Sequence, residues 1–191
     1  EDLPGVLSTH SEPVVFNLVE ELPRHPQDAT FVPAICEAFR RHVTGCDSSC
    51  LALTQDKWKS KAVLQAAGVP VPAGVVVPVD DIFRPRQFPG GPYIVKPVAT
   101  DASEGIDAKN IFARAGQELQ ETVVRLHRQF NQPVLIEQFV GNREFNVSVF
   151  QDATGVHVLP IAEIDFSTLG DNRHHIVDYA AKWLPDSFEY Q

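Results

Sequence analysis

Methionine is absent from the 191 residues, and the chain opens on Glu1. It therefore reads as a fragment, a processed form or the ordered part of something longer, and a missing motif carries little weight. Cysteine is scarce. Cys36, Cys46 and Cys50 are an odd number, without the paired CxxC spacing of a zinc site or the even framework of a small secreted domain. They read as structural thiols in a reducing, cytoplasmic setting. Positive charge is also short: 16 Lys and Arg stand against 25 Asp and Glu, for a formal charge of -9. Phosphate-backbone binding needs a concentrated basic face, and here the cations are scattered, so no nucleic-acid partner is expected. No apolar run approaches the ~20 residues that span a bilayer. The opening "EDLPGVLSTH" lacks the basic and then apolar layout of a signal peptide, so no membrane partner is expected either.

What is present suits a globular protein with a buried core, at 43% hydrophobic residues. "EPVVFNLVEEL" (residues 12–22) predicts a strand feeding a polar, proline-rich loop to Asp28. "ATFVPAICEAFRRH" has apolar positions at helical spacing. Thr44-Gly45 closes that segment, and Asp47, Ser48 or Ser49 can cap a second helix reaching Ala67, with Gly68 as its stop. From residue 69 onward, short runs separated by proline and glycine predict strands near 73–77, 93–98, 134–139, 144–150 and 156–163, with a helix near 115–130. "FRPRQFPGGP" (residues 83–92) is a turn-rich connection. This order is mixed α/β of the α+β kind rather than a regular βαβ alternation.

Several residues carry possible chemistry. Lys96 ends the apolar "PYIVK" run and needs an anion or solvent for its ammonium, so it either snorkels to water or faces a ligand. The small residues after it include Ser103 and Gly105, which can bring backbone N–H groups against a phosphate, although the P-loop order is absent. Lys57 and Lys61 share a helix face at i,i+4 and, taken alone, describe a solvated surface. His127, His174 and His175 read as surface or loop histidines. In "PVLIEQFVGNREFNVSVF", Glu137 and Glu144 interrupt an apolar, β-branched stretch seven positions apart. On one continuous strand they would point to opposite faces, so a turn at Gly141-Asn142 is needed to bring them together.

Taken in order, "DKWKSKAVLQAAGVPVP", "YIVKP" with its small-residue loop, "VLIEQFVGNREFNVSV", "LPIAEI" and "YAAKW" resemble the ATP-grasp carboxylate–amine ligases, most closely the D-alanine–D-alanine ligase group. The resemblance covers residues 12–191. It implies an ATP-grasp fold, two lobes with nucleotide between them. Residues 1–46 would end a preceding α/β domain, 47–140 would form the central nucleotide-binding lobe, and 141–191 would begin the C-terminal lobe. It further implies that Glu137, Gln138, Phe139 and Val140 offer adenine a backbone edge and an apolar wall, and that Glu144 accepts from the ribose hydroxyls. Lys57, Lys96 and Lys182 would contact the ATP phosphates, Lys182 from the opposing side as the candidate catalytic residue, with Ser103 and Gly105 in the phosphate loop.

The implied reaction is ATP-dependent phosphorylation of a carboxylate to an acyl phosphate, followed by attack of an amine, on an amino-acid or peptide substrate. Alternatives are a ligase of a peptide-like polymer and a nucleotide-binding module without turnover. Mg2+ is implied with ATP, but the family's Asp, Glu and Asn ligands would follow residue 191; no metal ligand is assigned, and Glu163 and Asp165 are not that pair. A homodimer is implied by the resemblance alone. Two positions depart from the family pattern. Ala102 stands where a hydroxyl is usual, and Trp183 stands where a tyrosine usually follows the lysine. Both fall on the amino-acid side, so the expected substrate need not be D-alanine.

Overall fold

The structure is a computed structural model that describes residues 2–22, 26–84, 90–170 and 173–190. The chain divides into two compact units, Glu1–Val69 and Pro70–Gln191.

In the first unit, α1 (Leu3–Thr9), β1 (Val14–Val15), a 3-10 turn (Pro26–Thr30), α2 (Phe31–Ala38), β2 (His42–Val43), α3 (Ser48–Thr54) and α4 (Lys57–Ala66) follow one another. β1 and β2 pair in parallel, Val14 opposite His42. Leu7, Val32 and Cys36 form the core, lined by Ile35, Phe39 and Val43. Helix α1 was not foreseen; the Asp2 carboxylate accepts the Gly5 N–H at 2.9 Å and starts it. The strand predicted over 12–22 shrinks to two residues. Beyond Val15, side chains replace the ladder: Thr44 Oγ1 takes the Asn17 N–H, and Asn17 Oδ1 takes that of Val19. The helix predicted from Asp47 to Ala67 is two helices. Asp47 caps the first through the Cys50 N–H at 2.7 Å. Asp56 then captures the N–H groups of Trp58 and Lys59 and begins a new helix one turn short of continuity. Gly68, at φ +79°, ends α4 as the sequence suggests.

The second unit holds β3 (Gly74–Val77), β4 (Tyr93–Pro97), a 3-10 turn (Ala108–Asn110), β5 (Ile111–Phe112), α5 (Gln117–Phe130), β6 (Val134–Gln138), β7 (Phe145–Asn146), β8 (Val149–Asp152), β9 (Gly155–Val158), β10 (Ala162–Glu163) and α6 (Tyr179–Trp183). β3, β6, β4 and β5 form one antiparallel sheet in that order. Alternation along the strands sends Val75, Val77, Tyr93, Val95, Val134 and Ile136 to one face. There they meet Leu119, Val123 and Leu126 of α5, whose 4- and 3-residue spacing makes a helical stripe. His127 belongs to this buried layer, which corrects its reading as a surface residue. Its Nε2 lies 3.1 Å from the Val77 carbonyl, an arrangement that places the ring proton on Nε2.

Beyond β6 the two long strands predicted over 144–150 and 156–163 appear as two small pairs, β7 with β10 and β8 with β9. Of the expected connection at 83–92, residues 85–89 lie outside the described residues.

Candidate functional site

The opposite face of the same sheet carries the candidate site. In the β4–β6 register Ile94 faces Glu137 and Lys96 faces Leu135, so Lys96 and Glu137 are diagonal neighbours on the face turned away from α5. Lys96 Nζ and Glu137 Oε1 form an ion pair, with the two side chains 19% and 9% exposed. The two strands thus bring together charges that are 41 positions apart in sequence. Gly74 lies opposite Glu137 in β3, and a Cβ there would stand 3.2 Å from the Glu137 Cβ, so this position suits a residue without a side chain.

At the end of β6 the backbone is partly spoken for. The Gln138 N–H donates to the Ala73 carbonyl and the Phe139 N–H to that of Pro92. Among the described residues the Val140 N–H takes no partner, and its side chain is exposed. Sequence reasoning had spread the hydrogen-bonding edge over four residues; the sheet leaves Val140 as the open amide donor. A turn then leads to Glu144, whose carbonyl accepts from Ile164. Beside it, Arg143 and Glu163 form a two-bond ion pair at 2.6 and 2.8 Å. The Arg143 hydrogen bonds hold the Glu163 carboxyl below the usual carboxylate range.

The loop after β4 is a stack of tight turns. Ala102 and Ser103 both have positive φ, +51° and +64°, and Gly105 follows at +69°. The Thr100 hydroxyl bonds the Glu104 carbonyl, the Glu104 N–H bonds Asp101, and the Ile106 N–H bonds Ser103. Buried Asn110 donates to the Gly105 carbonyl at 2.6 Å and accepts from Arg125 at 2.8 Å, tying the loop to α5. Among the described residues the N–H groups of Ala102, Ser103 and Gly105 are unpartnered, as in a backbone concavity that receives an anion.

A segment from His174 to Trp183 lies against both features. The His174 ring meets Phe139 edge-on at 5.7 Å. The Val177 N–H donates to Glu144 Oε2 at 2.9 Å, while the Val177 carbonyl accepts from Ser103 Oγ at 3.0 Å. The Tyr179 N–H donates to the Ile106 carbonyl, and Trp183 Nε1 donates to the Ala102 carbonyl at 2.9 Å. Buried Asp178 caps α6 through the Ala181 N–H, a start signal legible in "DYAA". Lys182 is exposed in the last turn of α6 and makes no ion pair among the described residues. Lys57 opens α4 in the first unit.

Residues 63–191 match the family model described as "D-ala D-ala ligase C-terminus". The chain belongs to that family. Among its relatives, the D-alanine–D-alanine ligase of Laribacter hongkongensis (strain HLHK9) is 33% identical over 166 residues, spanning 86% of this chain and 49% of the relative. That of Caulobacter sp. (strain K31) is 31% identical over 183 residues, spanning 96% of this chain and 53% of the relative. The chain therefore spans about half the length of the curated relatives it matches. The D-Ala-D-Ala ligase structure from Helicobacter pylori superposes with a TM-score of 0.63 at 20% identity, over 81% of this chain and 47% of that one. VanG D-Ala:D-Ser ligase from Enterococcus faecalis gives 0.63 at 22% identity, over 82% and 44%. The fold is accordingly ATP-grasp.

Proposed function

We propose that this chain is the nucleotide-binding part of an ATP-dependent carboxylate–amine ligase of the D-alanine–D-alanine ligase type, acting on a small amino-acid or peptide substrate through an acyl phosphate. The observation that carries this is the partly exposed Lys96–Glu137 pair on the sheet face away from α5, at the root of a loop in which three N–H groups are unpartnered among the described residues. An ammonium and a carboxylate paired in the middle of an antiparallel sheet cost more to desolvate than apolar residues would, whereas a phosphate ligand facing Lys96 gives the charge a use.

The residues fit a nucleoside triphosphate. Val140 would supply a backbone donor and an apolar wall to the base, beside Gln138 and Phe139, while Glu144 would accept from the ribose. Ala102, Ser103 and Gly105 would donate N–H groups to phosphate oxygens, and Lys96 and Lys182 would add positive charge where it develops on phosphoryl transfer. When bound, ATP supplies the phosphoryl group that activates the carboxylate. The chain's own contribution is to hold that group, its acceptor and the amine in line and away from water. Mg2+ would accompany the triphosphate; among the described residues no three His, Cys, Asp or Glu side chains gather to hold a metal ion.

The family segmentation at 46/47 and 140/141 belongs to the same proposal, as does a homodimer. Compactness alone divides the chain at Val69/Pro70.

Calorimetric titration with Mg2+ and a non-hydrolysable ATP analogue tests the nucleotide half. Lys96→Ala and Glu144→Ala are each expected to weaken binding about tenfold or more, ~1.4 kcal/mol. An intact protein that fails to bind the analogue when supplied with all its domains ends the proposal.

A further inference from the structure

The peptide unit of Val177 is held from both sides. Its N–H donates to the Glu144 carboxylate, a charge-assisted bond, and its carbonyl accepts the Ser103 hydroxyl. Two residues later α6 begins, and it has five residues. A helix that short has no independent stability, so its direction is inherited from whatever fixes its ends. The fastenings are the Val177 peptide, the Tyr179 N–H on Ile106 and the Trp183 indole on Ala102. Three of the four partner positions, Ala102, Ser103 and Ile106, lie on the loop after β4; the fourth is Glu144, across the β6–β7 turn.

We propose that Ser103 and Glu144 are positioning residues that act together through the single peptide of Val177 to set the direction of α6, and with it where Lys182 and Trp183 stand. The proposal rests on the nucleotide reading at one point: Glu144 is also the expected ribose acceptor. A carboxylate has two oxygens and about four acceptor sites. Oε2 is engaged by Val177, which leaves Oε1 for a ribose hydroxyl. One side chain then touches nucleotide with one oxygen and fixes the α6 segment with the other, so nucleotide binding and the placement of Lys182 reinforce each other. Ser103 divides its work in a similar way. Its hydroxyl is committed to Val177, while its N–H remains open toward an anion.

The protein contains two tryptophans, Trp58 and Trp183. A Trp58→Phe background therefore leaves Trp183 as a fluorescent reporter on the segment itself. In nucleotide-free protein, Glu144→Ala and Ser103→Ala are expected to raise the acrylamide quenching constant of Trp183 about twofold. Hydrogen exchange at the Val177 amide is expected to speed up about tenfold or more in Glu144→Ala, the scale of losing a charge-assisted hydrogen bond, and about fivefold in Ser103→Ala, the scale of losing a neutral one. Glu144→Gln keeps an acceptor oxygen and should restore both readouts toward the parent. Circular dichroism checks that each variant is folded, and either alanine variant suffices if the other does not fold.

Unchanged quenching and unchanged Val177 exchange in a folded alanine variant would overturn the proposal whether or not nucleotide binds. With the ATP analogue present, the parent should show lower Trp183 quenching. Calorimetric binding without that change refutes the coupling between nucleotide and segment. Absence of calorimetric binding refutes the nucleotide reading, while the nucleotide-free comparison still decides the clamp.

Discussion

The Lys96–Glu137 pair offers the sharpest quantitative test of the site. Both side chains are largely withdrawn from water, at 19% and 9% exposure, so each charge gains from the other's compensation. Replacing Lys96 by Met keeps most of the volume and removes the cation, leaving Glu137 charged inside a sheet face. Breaking a fully buried pair costs about 3–5 kcal/mol, and the residual exposure of Lys96 lets water recover part of that. Lys96→Met is therefore expected to cost about 2–3 kcal/mol. Glu137→Leu should cost a similar amount for the mirror reason. The double variant removes both charges together and should cost no more than about 1 kcal/mol, giving a coupling energy of about 3–6 kcal/mol. Urea unfolding followed by Trp183 fluorescence, in the Trp58→Phe background, reads the unit that contains the pair. Equal denaturant slopes in all four proteins permit the comparison. Single losses below about 0.5 kcal/mol, or a double loss equal to the sum of the singles, would show that the charges do not compensate each other, and the reasoning from burial would fail.

Other substitutions probe the frame around the site. Gly105→Ala meets two obstacles, a φ of +69° and a new Cβ 2.6 Å from Pro97 Cγ and 2.8 Å from Phe130 Cε2. It should cost about 2–4 kcal/mol of stability by urea titration; a neutral result would mean that the loop after β4 relaxes freely. Leu126→Ala, in the fully buried stripe of α5, should cost about 2–5 kcal/mol in the same assay, the larger value if the sheet does not collapse onto the space. In the β8–β9 turn the Thr154 hydroxyl and then His157 hold the Asp152 carboxyl below its ordinary range. A depressed carboxyl contributes stability that is complete above the ordinary aspartate value of about 3.9 and is lost as pH falls through the lower, folded value. Thr154→Val should move the Asp152 titration upward in a carboxyl-carbon NMR titration; no movement would assign the effect to the other contacts.

The sequence was most informative where local pattern and burial agree. The 4- and 3-residue spacing of Leu119, Val123 and Leu126 marks α5, and the apolar runs of β4 and β6 mark the two central strands. Gly68 and Asp47 do their predicted work because stops and caps are local chemistry. Sequence reading failed where a polar side chain competes with the backbone. Asp56 divides a continuous helical pattern by capturing two N–H groups, and Asn17 with Thr44 takes the chain out of its strand after Val15. His127 was misplaced because a polar residue on an apolar helical stripe looks exposed until its carbonyl partner, 50 residues away on β3, is known.

The candidate site was half legible for the same reason. Lys96 and Glu137 stand out as charges in apolar strands, but their pairing depends on the β4–β6 register, which no local pattern specifies. Val177 gives no signal at all, because what it contributes is a peptide group. Ala102 and Trp183 were legible as separate departures, and the geometry shows them to be one arrangement. The acceptor for the indole is the Ala102 carbonyl, 2.9 Å from Trp183 Nε1, and a backbone carbonyl is present whatever side chain stands at 102. The α6 segment is thereby attached without a hydroxyl at that position. Trp183→Phe keeps the ring and deletes the donor, so it should speed hydrogen exchange across the α6 amides by about threefold to tenfold, whereas Ala102→Ser should leave exchange unchanged. The reverse pattern, with Ala102→Ser altering exchange and Trp183→Phe silent, would show that side-chain chemistry at 102 rather than its carbonyl governs the attachment.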